Sequence, residues 1–354
     1  MKRFLLLIIV CTFLQSVGEA KWFTGNDERL HYVGRVQKLS TTARLWTPGV
    51  YVRFSFMADT LKIALNDQMQ YGVQHNYMEL QIDDREPLRI RLQDQSDTLV
   101  IPINDDAIHT AVLCKNTESN IGYVDVVGVF AKELYSSEDK NSLIEFFGDS
   151  ITCGASSDTS KVKCGAGRWE DQHNAFMAYG PVTARKLDVD WVLSSVSGIG
   201  LMHSCCNMKI VLPQVFDKIV MNKDSVDWNF KSYTPDVVGI CLGQNDGIQD
   251  SVVFQTQYLD FIKKLRKIYP KTKIILLTSP MADVSLNQFL RKQLTTIMKS
   301  RRISGDKNVF VYSFKSTYNH GCDFHPGVGE HERIADGLVA FIRKNKLIDN
   351  KRGK

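Results

Sequence analysis

The sequence predicts two domains: an all-β sandwich followed by an α/β domain built on a parallel sheet. Apolar and polar residues alternate with a period of two between Leu30 and Phe130. After about Lys132, short apolar runs alternate instead with segments of helical period. The chain has 354 residues, of which 44% are hydrophobic, so it is long enough to bury two cores.

The first residues predict a secretory signal peptide over residues 1–20. Lys2 and Arg3 form the positive start, and the apolar stretch from Phe4 to Leu14 is too short to span a bilayer. Small residues end this segment, so we expect cleavage near Ala20 and a protein that is secreted, periplasmic or held at the cell surface. No later segment predicts a transmembrane helix.

Charge does not favour a nucleic-acid partner. The net charge of +5 falls to +4 if residues 1–20 are removed, because Lys2, Arg3 and Glu19 leave with them. The basic tail at residues 349–354 is predicted to be a frayed end. No sequence feature indicates an oligomeric state.

The cysteines permit disulfides but do not indicate a metal site. Seven of the eight follow residue 20, and this odd number leaves at least one thiol free or paired between chains. Cys153 and Cys164 flank a loop and could be bridged, but the sequence alone does not fix which cysteines pair. Cys241 lies in an apolar run and is expected to be a small buried residue. No pair has zinc-ligand spacing, and neither a metal nor a cofactor is predicted.

The predicted sandwich covers residues 21–135. Its short β-rich runs are separated by turn-like pairs such as Asp83-Asp84, and this even spacing favours a jelly-roll-like sandwich. The predicted strands are Val50–Phe56, Leu61–Leu65, Tyr77–Ile82, Thr98–Ile103, His109–Cys114 and Tyr123–Phe130.

The predicted α/β domain covers residues 136–348 and begins with a polar connector, Ser136–Asn141. Three helical faces follow, centred on Phe261, Leu294 and Leu338. Apolar strands between helices indicate a parallel sheet that is covered on both faces. The predicted strands are Leu143–Phe147, Trp191–Ser195, Val237–Leu242, Lys273–Thr278 and Val309–Tyr312.

Polar and glycine-rich segments follow four of these five strands. In an open parallel sheet, ligands bind at the carboxyl ends of the strands, so these segments should meet at one edge. They are Gly148–Ser150, Ser197–Gly200, Gly243–Asp246 and Asp323–Pro326.

Together these segments contain the groups that acyl transfer requires. Ser150 is the candidate nucleophile, and His325 is the base that would take its proton. The amides of Ser150 and Gly198 and the side chain of Asn245 are candidate donors to the oxyanion. Each segment alone also has a structural interpretation as a turn, a helix cap or a surface residue. Their occurrence in this order, each just after a strand, favours catalysis.

Ser150, Gly198, Asn245 and His325 resemble the four signature residues of the SGNH, or GDSL-type, hydrolases. The order of a β-sandwich before the hydrolase domain is most similar to the family 2 carbohydrate esterases, and this resemblance covers nearly the whole mature chain. It implies a three-layer, flavodoxin-like hydrolase domain beside a jelly roll. It also implies a serine esterase that removes O-acetyl groups from polysaccharides of the xylan or mannan type.

The resemblance also implies an aromatic side chain that holds a sugar near the site. Phe324 is the first candidate because it adjoins His325, and the others are Trp169, Trp228 and Tyr179. One departure concerns the residue that orients His325. Cys322 stands where the superfamily usually has an aspartate, and Asp323 is two residues before the histidine.

Three arrangements around Asp323 are open at this stage. Its side chain could orient His325 through a bent loop, a backbone carbonyl could do so in a Ser-His dyad, or Asp323 could be a turn residue. Asp246 is expected to hold the loop that presents Asn245.

Other functions stay open from sequence alone. A lipase or lysophospholipase would need an apolar acyl groove, and none is evident. An esterase acting on peptidoglycan would have the same site residues. The non-enzymatic alternative is a glycan-binding protein with a degenerate hydrolase domain.

Overall fold

The computed structural model describes residues 19–221 and 226–348. The predicted basic tail and all but the last two residues of the predicted signal peptide lie outside these ranges. Across the described ranges, no helix has the length and apolar character needed to cross a membrane.

The first domain is a sandwich of two antiparallel sheets with six strands each. One sheet has the order β3-β4-β11-β6-β9, with β1 also paired to β11, and the other has the order β12-β5-β10-β7-β8, with β2 also paired to β5. The strands are β1 (Lys21–Thr24), β2 (His31–Val33), β3 (Val36–Lys38), β4 (Ala43–Leu45), β5 (Tyr51–Met57), β6 (Thr60–Asp67), β7 (Tyr77–Ile82), β8 (Leu88–Arg91), β9 (Ser96–Pro102), β10 (His109–Lys115), β11 (Val124–Ala131) and β12 (Glu133–Tyr135).

The inward residues of both sheets form one apolar core that includes Phe54, Phe56 and Ile63. The all-β prediction is confirmed, and all six predicted strands are present with shifts of one or two residues at their ends. The strands that were not predicted are three or four residues long, which is too short to show a period of two.

The second domain has a parallel five-stranded sheet of order β14-β13-β15-β16-β17. All five strands were predicted from sequence. They are β13 (Leu143–Gly148), β14 (Asp190–Ser195), β15 (Val237–Cys241), β16 (Lys273–Leu277) and β17 (Val309–Tyr312). In this flavodoxin-like order, β14 is added on one side of β13 and the later strands on the other, so the strand order reverses between β13 and β15. Ligands bind in the crevice at such a point.

Six α-helices accompany the parallel sheet in the described part of the chain. The three long ones bury the predicted apolar faces, for example Tyr258 and Phe261 of α4 and Leu338 of α6. Asp250 and Asp283 cap the amino ends of α4 and α5 through their carboxylates. The helices are α1 (Ser150–Cys153), α2 (Tyr179–Leu187), α3 (Leu212–Val215), α4 (Ser251–Ile268), α5 (Val284–Ile303) and α6 (Val328–Lys344).

Buried polar contacts join the two domains. Arg35 of the sandwich is completely buried and donates to Glu145 on β13, with Nη2 and Oε1 3.0 Å apart. Tyr51 and Arg53 of β5 both donate to the carboxylate of Asp190 on β14. Since buried charges need partners, these contacts make the docking of the domains specific.

The structure contains two disulfides among the described residues, Cys164–Cys322 and Cys205–Cys206. A bridge between Cys153 and Cys164 is therefore ruled out, because Cys164 pairs with a residue that is distant in sequence. Cys153 is a buried free thiol whose Sγ lies 3.2 Å from Ser195 Oγ. Cys241 is buried and free, as predicted.

Candidate active site

Ser150 lies at the point where β13 turns into the short helix α1. Asp149 caps this helix, since its Oδ1 accepts a hydrogen bond from the Ile151 amide at 3.0 Å. A side chain at position 148 could not fit, because a Cβ there would lie 2.0 Å from Thr152 Oγ1. Gly148 therefore allows the tight turn that projects Ser150 from the edge of the sheet.

The Ser150 hydroxyl and the His325 ring are joined by a hydrogen bond. Ser150 Oγ and His325 Nε2 are 2.8 Å apart, although the residues are 175 positions apart in sequence. Burial lowers the pKa of His325 below that of an ordinary histidine, and the nearby His173 acts in the same direction. A neutral imidazole at this distance can accept the serine proton.

A backbone carbonyl orients the His325 ring. His325 Nδ1 lies 3.0 Å from the carbonyl oxygen of Asp323, whereas the Asp323 carboxylate accepts from Ser156 Oγ at 3.4 Å. Asp323 adopts a left-handed conformation with φ of 51°, which turns its carbonyl toward the ring. The structure thus has the dyad arrangement, and the alternative with an orienting Asp323 side chain is wrong for this geometry.

The loop that carries His325 is fastened at several points. The Cys322 amide donates to Ser156 O at 2.8 Å, and its side chain is bridged to Cys164. At the other end, Glu330 Oε2 accepts from the amides of His320 and Gly327. These bonds hold a loop whose Asp323 and Phe324 both have positive φ, a conformation that costs a non-glycine residue about 1–3 kcal/mol.

Gly198 occupies a position that strongly favours glycine. Its φ is 80°, and a Cβ there would lie 2.8 Å from Cys205 Sγ. The following segment is held by Asp246, whose carboxylate accepts from the amides of Leu201, Met202 and His203 at 2.7–2.9 Å. Asp246 therefore has a structural role. The sequence analysis expected it to hold the loop that presents Asn245, whereas these bonds hold the loop that follows Gly198.

Asn245 lies between two acceptors. Its Nδ2 is 2.9 Å from Ile199 O and 3.3 Å from Asp149 Oδ2. Burial raises the pKa of Asp149 to about 7, so this carboxyl holds its proton far more readily than an exposed one. To serve an oxyanion, Asn245 would exchange its longer bond to Asp149 for one to the substrate.

The four aromatic candidates have different environments. Phe324 is 78% exposed beside His325, and Trp169 is 38% exposed with its ring edge-on to His173. Tyr179 is completely buried in α2, where it bonds to Thr152, so it cannot contact a polysaccharide. Trp228 is half-buried, packs on Tyr233 and lies near Arg35 in the interdomain contact.

Sequence reasoning missed two buried residues behind the site, Glu118 and His173. Glu118 comes from the sandwich domain and accepts hydrogen bonds from both the amide and the hydroxyl of Ser197, next to Gly198. His173 Nδ1 accepts from the Ser156 amide at 3.4 Å. Neither residue stands in a motif or at a strand end, so no local sequence signal identified them.

Two family models match this chain. The model described as carbohydrate esterase 2 N-terminal matches residues 32–153. The model described as the GDSL-like lipase/acylhydrolase family matches residues 146–326, which is just over half of the chain. The chain belongs to the GDSL-like lipase/acylhydrolase family. Within this acylhydrolase family, its domain order is that of the family 2 carbohydrate esterases, as the sequence resemblance predicted.

Individual relatives agree with this assignment. Cellulase/esterase CelE of Acetivibrio thermocellus is 32% identical over 254 residues, which are 68% of this chain and 30% of that protein. An acetylxylan esterase/glucomannan deacetylase of Cellvibrio japonicus is 26% identical over 90% of this chain and 92% of its own length. A family two carbohydrate esterase from Clostridium thermocellum, solved with cellohexaose, has a TM-score of 0.78 at 25% identity and is matched over 90% of this chain and 100% of its own.

Proposed function

We propose that this protein is a serine esterase that removes O-acetyl groups from polysaccharides. The observation that carries the proposal is the 2.8 Å hydrogen bond from Ser150 to His325 at the carboxyl edge of the sheet. In this mechanism His325 takes the proton of Ser150, whose oxygen attacks the acetyl carbonyl. The amides of Ser150 and Gly198 and the side chain of Asn245 stabilise the oxyanion, and His325 then protonates the departing sugar oxygen, which leaves as a hydroxyl. Water attacks the acetyl-enzyme in the second half of the cycle.

A sugar substrate is supported by the exposed ring of Phe324 beside the nucleophile. An aromatic face stacks on the apolar face of a sugar, and no core role explains a phenylalanine that is 78% exposed. Trp169 is a second candidate for such a contact. The relatives named for acetylxylan and glucomannan support xylan- and mannan-type chains as the substrates to test.

The test is hydrolysis of p-nitrophenyl acetate by the parent protein and by Ser150→Ala and His325→Ala. Both variants should lose about a thousandfold or more in kcat/KM. Undiminished hydrolysis by Ser150→Ala would overturn the proposal. Preference for octanoate over acetate would point to a lipase, and acetate release from acetylated xylan, glucomannan and peptidoglycan in parallel would identify the polysaccharide.

We also propose that the mature protein is exported after cleavage near Ala20. The charged and apolar pattern of residues 1–20 supports export, and so does a disulfide that joins Cys164 to Cys322, since such bonds persist in oxidising compartments. Amino-terminal sequencing of protein recovered from the culture medium tests this, and an intact Met1 would contradict it.

A further inference from the structure

The segment that follows β10 of the sandwich reaches into the second domain. Asn116 O accepts from the Ala175 amide at 3.2 Å, and Asn116 Oδ1 accepts from the Phe176 amide at 3.0 Å. The buried Lys115 holds this segment from within, because its Nζ donates to Thr117 O at 2.6 Å and to Glu118 O at 3.2 Å. These contacts hold Glu118 against the second domain, where only 1% of its surface is exposed.

The Glu118 carboxylate binds the residue that precedes Gly198. Glu118 Oε2 accepts from the Ser197 amide at 2.6 Å, and Oε1 accepts from the Ser197 hydroxyl. Ser197 thus has both of its donors satisfied by one carboxylate. Because the Gly198 amide follows directly, its direction depends on how Ser197 is held.

The same carboxylate faces the other side of the site. His173 is completely buried, and its Nε2 lies 3.4 Å from Glu118 Oε1. Its other ring nitrogen, Nδ1, accepts a hydrogen bond from the Ser156 amide. Its proton is therefore on Nε2, which faces Glu118 at this distance without completing a hydrogen bond. The Ser156 carbonyl oxygen in turn accepts a hydrogen bond from the Cys322 amide at 2.8 Å. Cys322 is three residues before His325.

The ionisation of Glu118 agrees with this arrangement. Burial alone would raise its pKa, but the contacts from His173 and Ser197 outweigh burial and lower it. The carboxylate is thus charged at neutral pH, accepts both donors of Ser197 and faces the N–H of His173 at 3.4 Å. A neutral amide side chain at this position would turn its own N–H toward one of these donors.

We propose that Glu118 of the sandwich domain is a positioning residue for the esterase reaction, which holds the Gly198 amide through Ser197 and the His325 loop through His173 and Ser156. This inference rests on the proposed function. It means that a sandwich residue supports the oxyanion hole from behind, without donating to the oxyanion itself.

The test compares kcat and KM for p-nitrophenyl acetate among graded variants. Glu118→Gln keeps one acceptor for the Ser197 amide but turns an N–H toward His173, so kcat should fall about tenfold. Glu118→Ala removes every acceptor, and kcat should fall about a hundredfold, with KM within about twofold in both variants. Asp125→Asn is the control, since Asp125 is also a buried carboxylate of the sandwich but pairs with Arg44 inside that domain.

A double-mutant cycle separates positioning from general stability. Ser197→Ala alone should lower kcat, and adding it to Glu118→Gln should cost less than the product of the two losses, because both changes break one contact. Thermal unfolding of each variant shows whether it is folded. If Glu118→Ala does not fold, the kcat of Glu118→Gln alone tests the role of Glu118.

Two failures are distinguishable. A parent protein without Ser150-dependent esterase activity would overturn the proposed function and this inference together. If the parent is active, two results would overturn the role of Glu118 alone. One is a Glu118→Gln variant with the kcat of Asp125→Asn, and the other is a set of losses from Glu118→Gln and Ser197→Ala that simply multiply.

Discussion

At the scale of single residues, the candidate site uses main-chain atoms where many serine hydrolases use a carboxylate. The Asp323 carbonyl, 3.0 Å from His325 Nδ1, fixes the ring and its tautomer. This arrangement requires a left-handed residue at 323, a conformation that aspartate and asparagine tolerate better than most residues. The side chain itself is directed away from the ring.

Replacement of Asp323 by asparagine tests this arrangement. We expect kcat/KM for p-nitrophenyl acetate to fall less than about threefold, because asparagine keeps the main-chain carbonyl and tolerates the same backbone conformation. Where a carboxylate orients the histidine directly, the same change costs about 10⁴-fold in kcat. A loss above about a hundredfold in Asp323→Asn would show that the charge is needed.

The pH dependence of the reaction should follow His325. Its pKa is lowered, chiefly by burial, and the base acts only when neutral. Activity is therefore fully present above this pKa and is lost as the pH falls through it. The acid limb of kcat/KM against pH should have its midpoint below about 6.5, the ordinary value for histidine. A midpoint above about 7 would contradict the burial of the ring in the free enzyme.

At the scale of elements, two loops at the sheet edge are held by bonds that are distant in sequence. The Cys164–Cys322 disulfide ties the loop after α1 to the loop that carries His325, across 158 residues. Asp246, after β15, holds the amides that follow Gly198. The edge is therefore assembled from loops that depend on one another.

Removal of the Cys164–Cys322 disulfide should affect stability and activity together. In Cys164→Ser/Cys322→Ser, we expect the free energy of unfolding to fall by about 2–4 kcal/mol, since the unfolded chain loses a long constraint. The kcat should fall as well, because Cys322 adjoins the residues that orient His325.

Urea unfolding and p-nitrophenyl acetate turnover measure the two effects. Lys163→Ala, in the same loop but outside the bridge, is the control and should change neither. A double variant with parental kcat would mean that the other contacts of the loop suffice to place His325.

At the scale of the whole molecule, the two domains behave as one structural unit. Asp190 is 5% exposed and binds Tyr51 and Arg53, while Trp191 Nε1 donates to Gly49 O at 2.9 Å. Arg35 and Glu118 make further buried contacts from the sandwich. We therefore expect both domains to unfold in a single transition.

Loss of the Asp190 carboxylate tests this coupling. Asp190→Ala leaves Arg53 buried without its anion and should destabilise the protein by about 3 kcal/mol. The exposed pair of Asp260 and Lys263 supplies the control, since Asp260→Ala should cost less than about 0.5 kcal/mol. Calorimetry with hydrogen exchange follows both domains, and separate transitions in the parent protein would contradict the single unit.

Much of this protein was predictable because the signals are local. Strands such as β5 show the period of two, the strands of the parallel sheet are short apolar runs, and Ser150, Gly198 and Asn245 each follow a strand end. Sheet topology alone then implies that such residues share one edge. The type of fold and the candidate site residues could therefore be read along the chain.

Only the tertiary structure decided which partners those residues have. Glu118 and Ser197 are 79 residues apart and Cys164 and Cys322 are 158 apart, and nothing near either pair in sequence marks the contact. The burial of Tyr179, which disqualified it as a sugar contact, has the same origin. Periodicity reports which face of an element is apolar, whereas hydrogen bonds and burial arise from how separate elements pack.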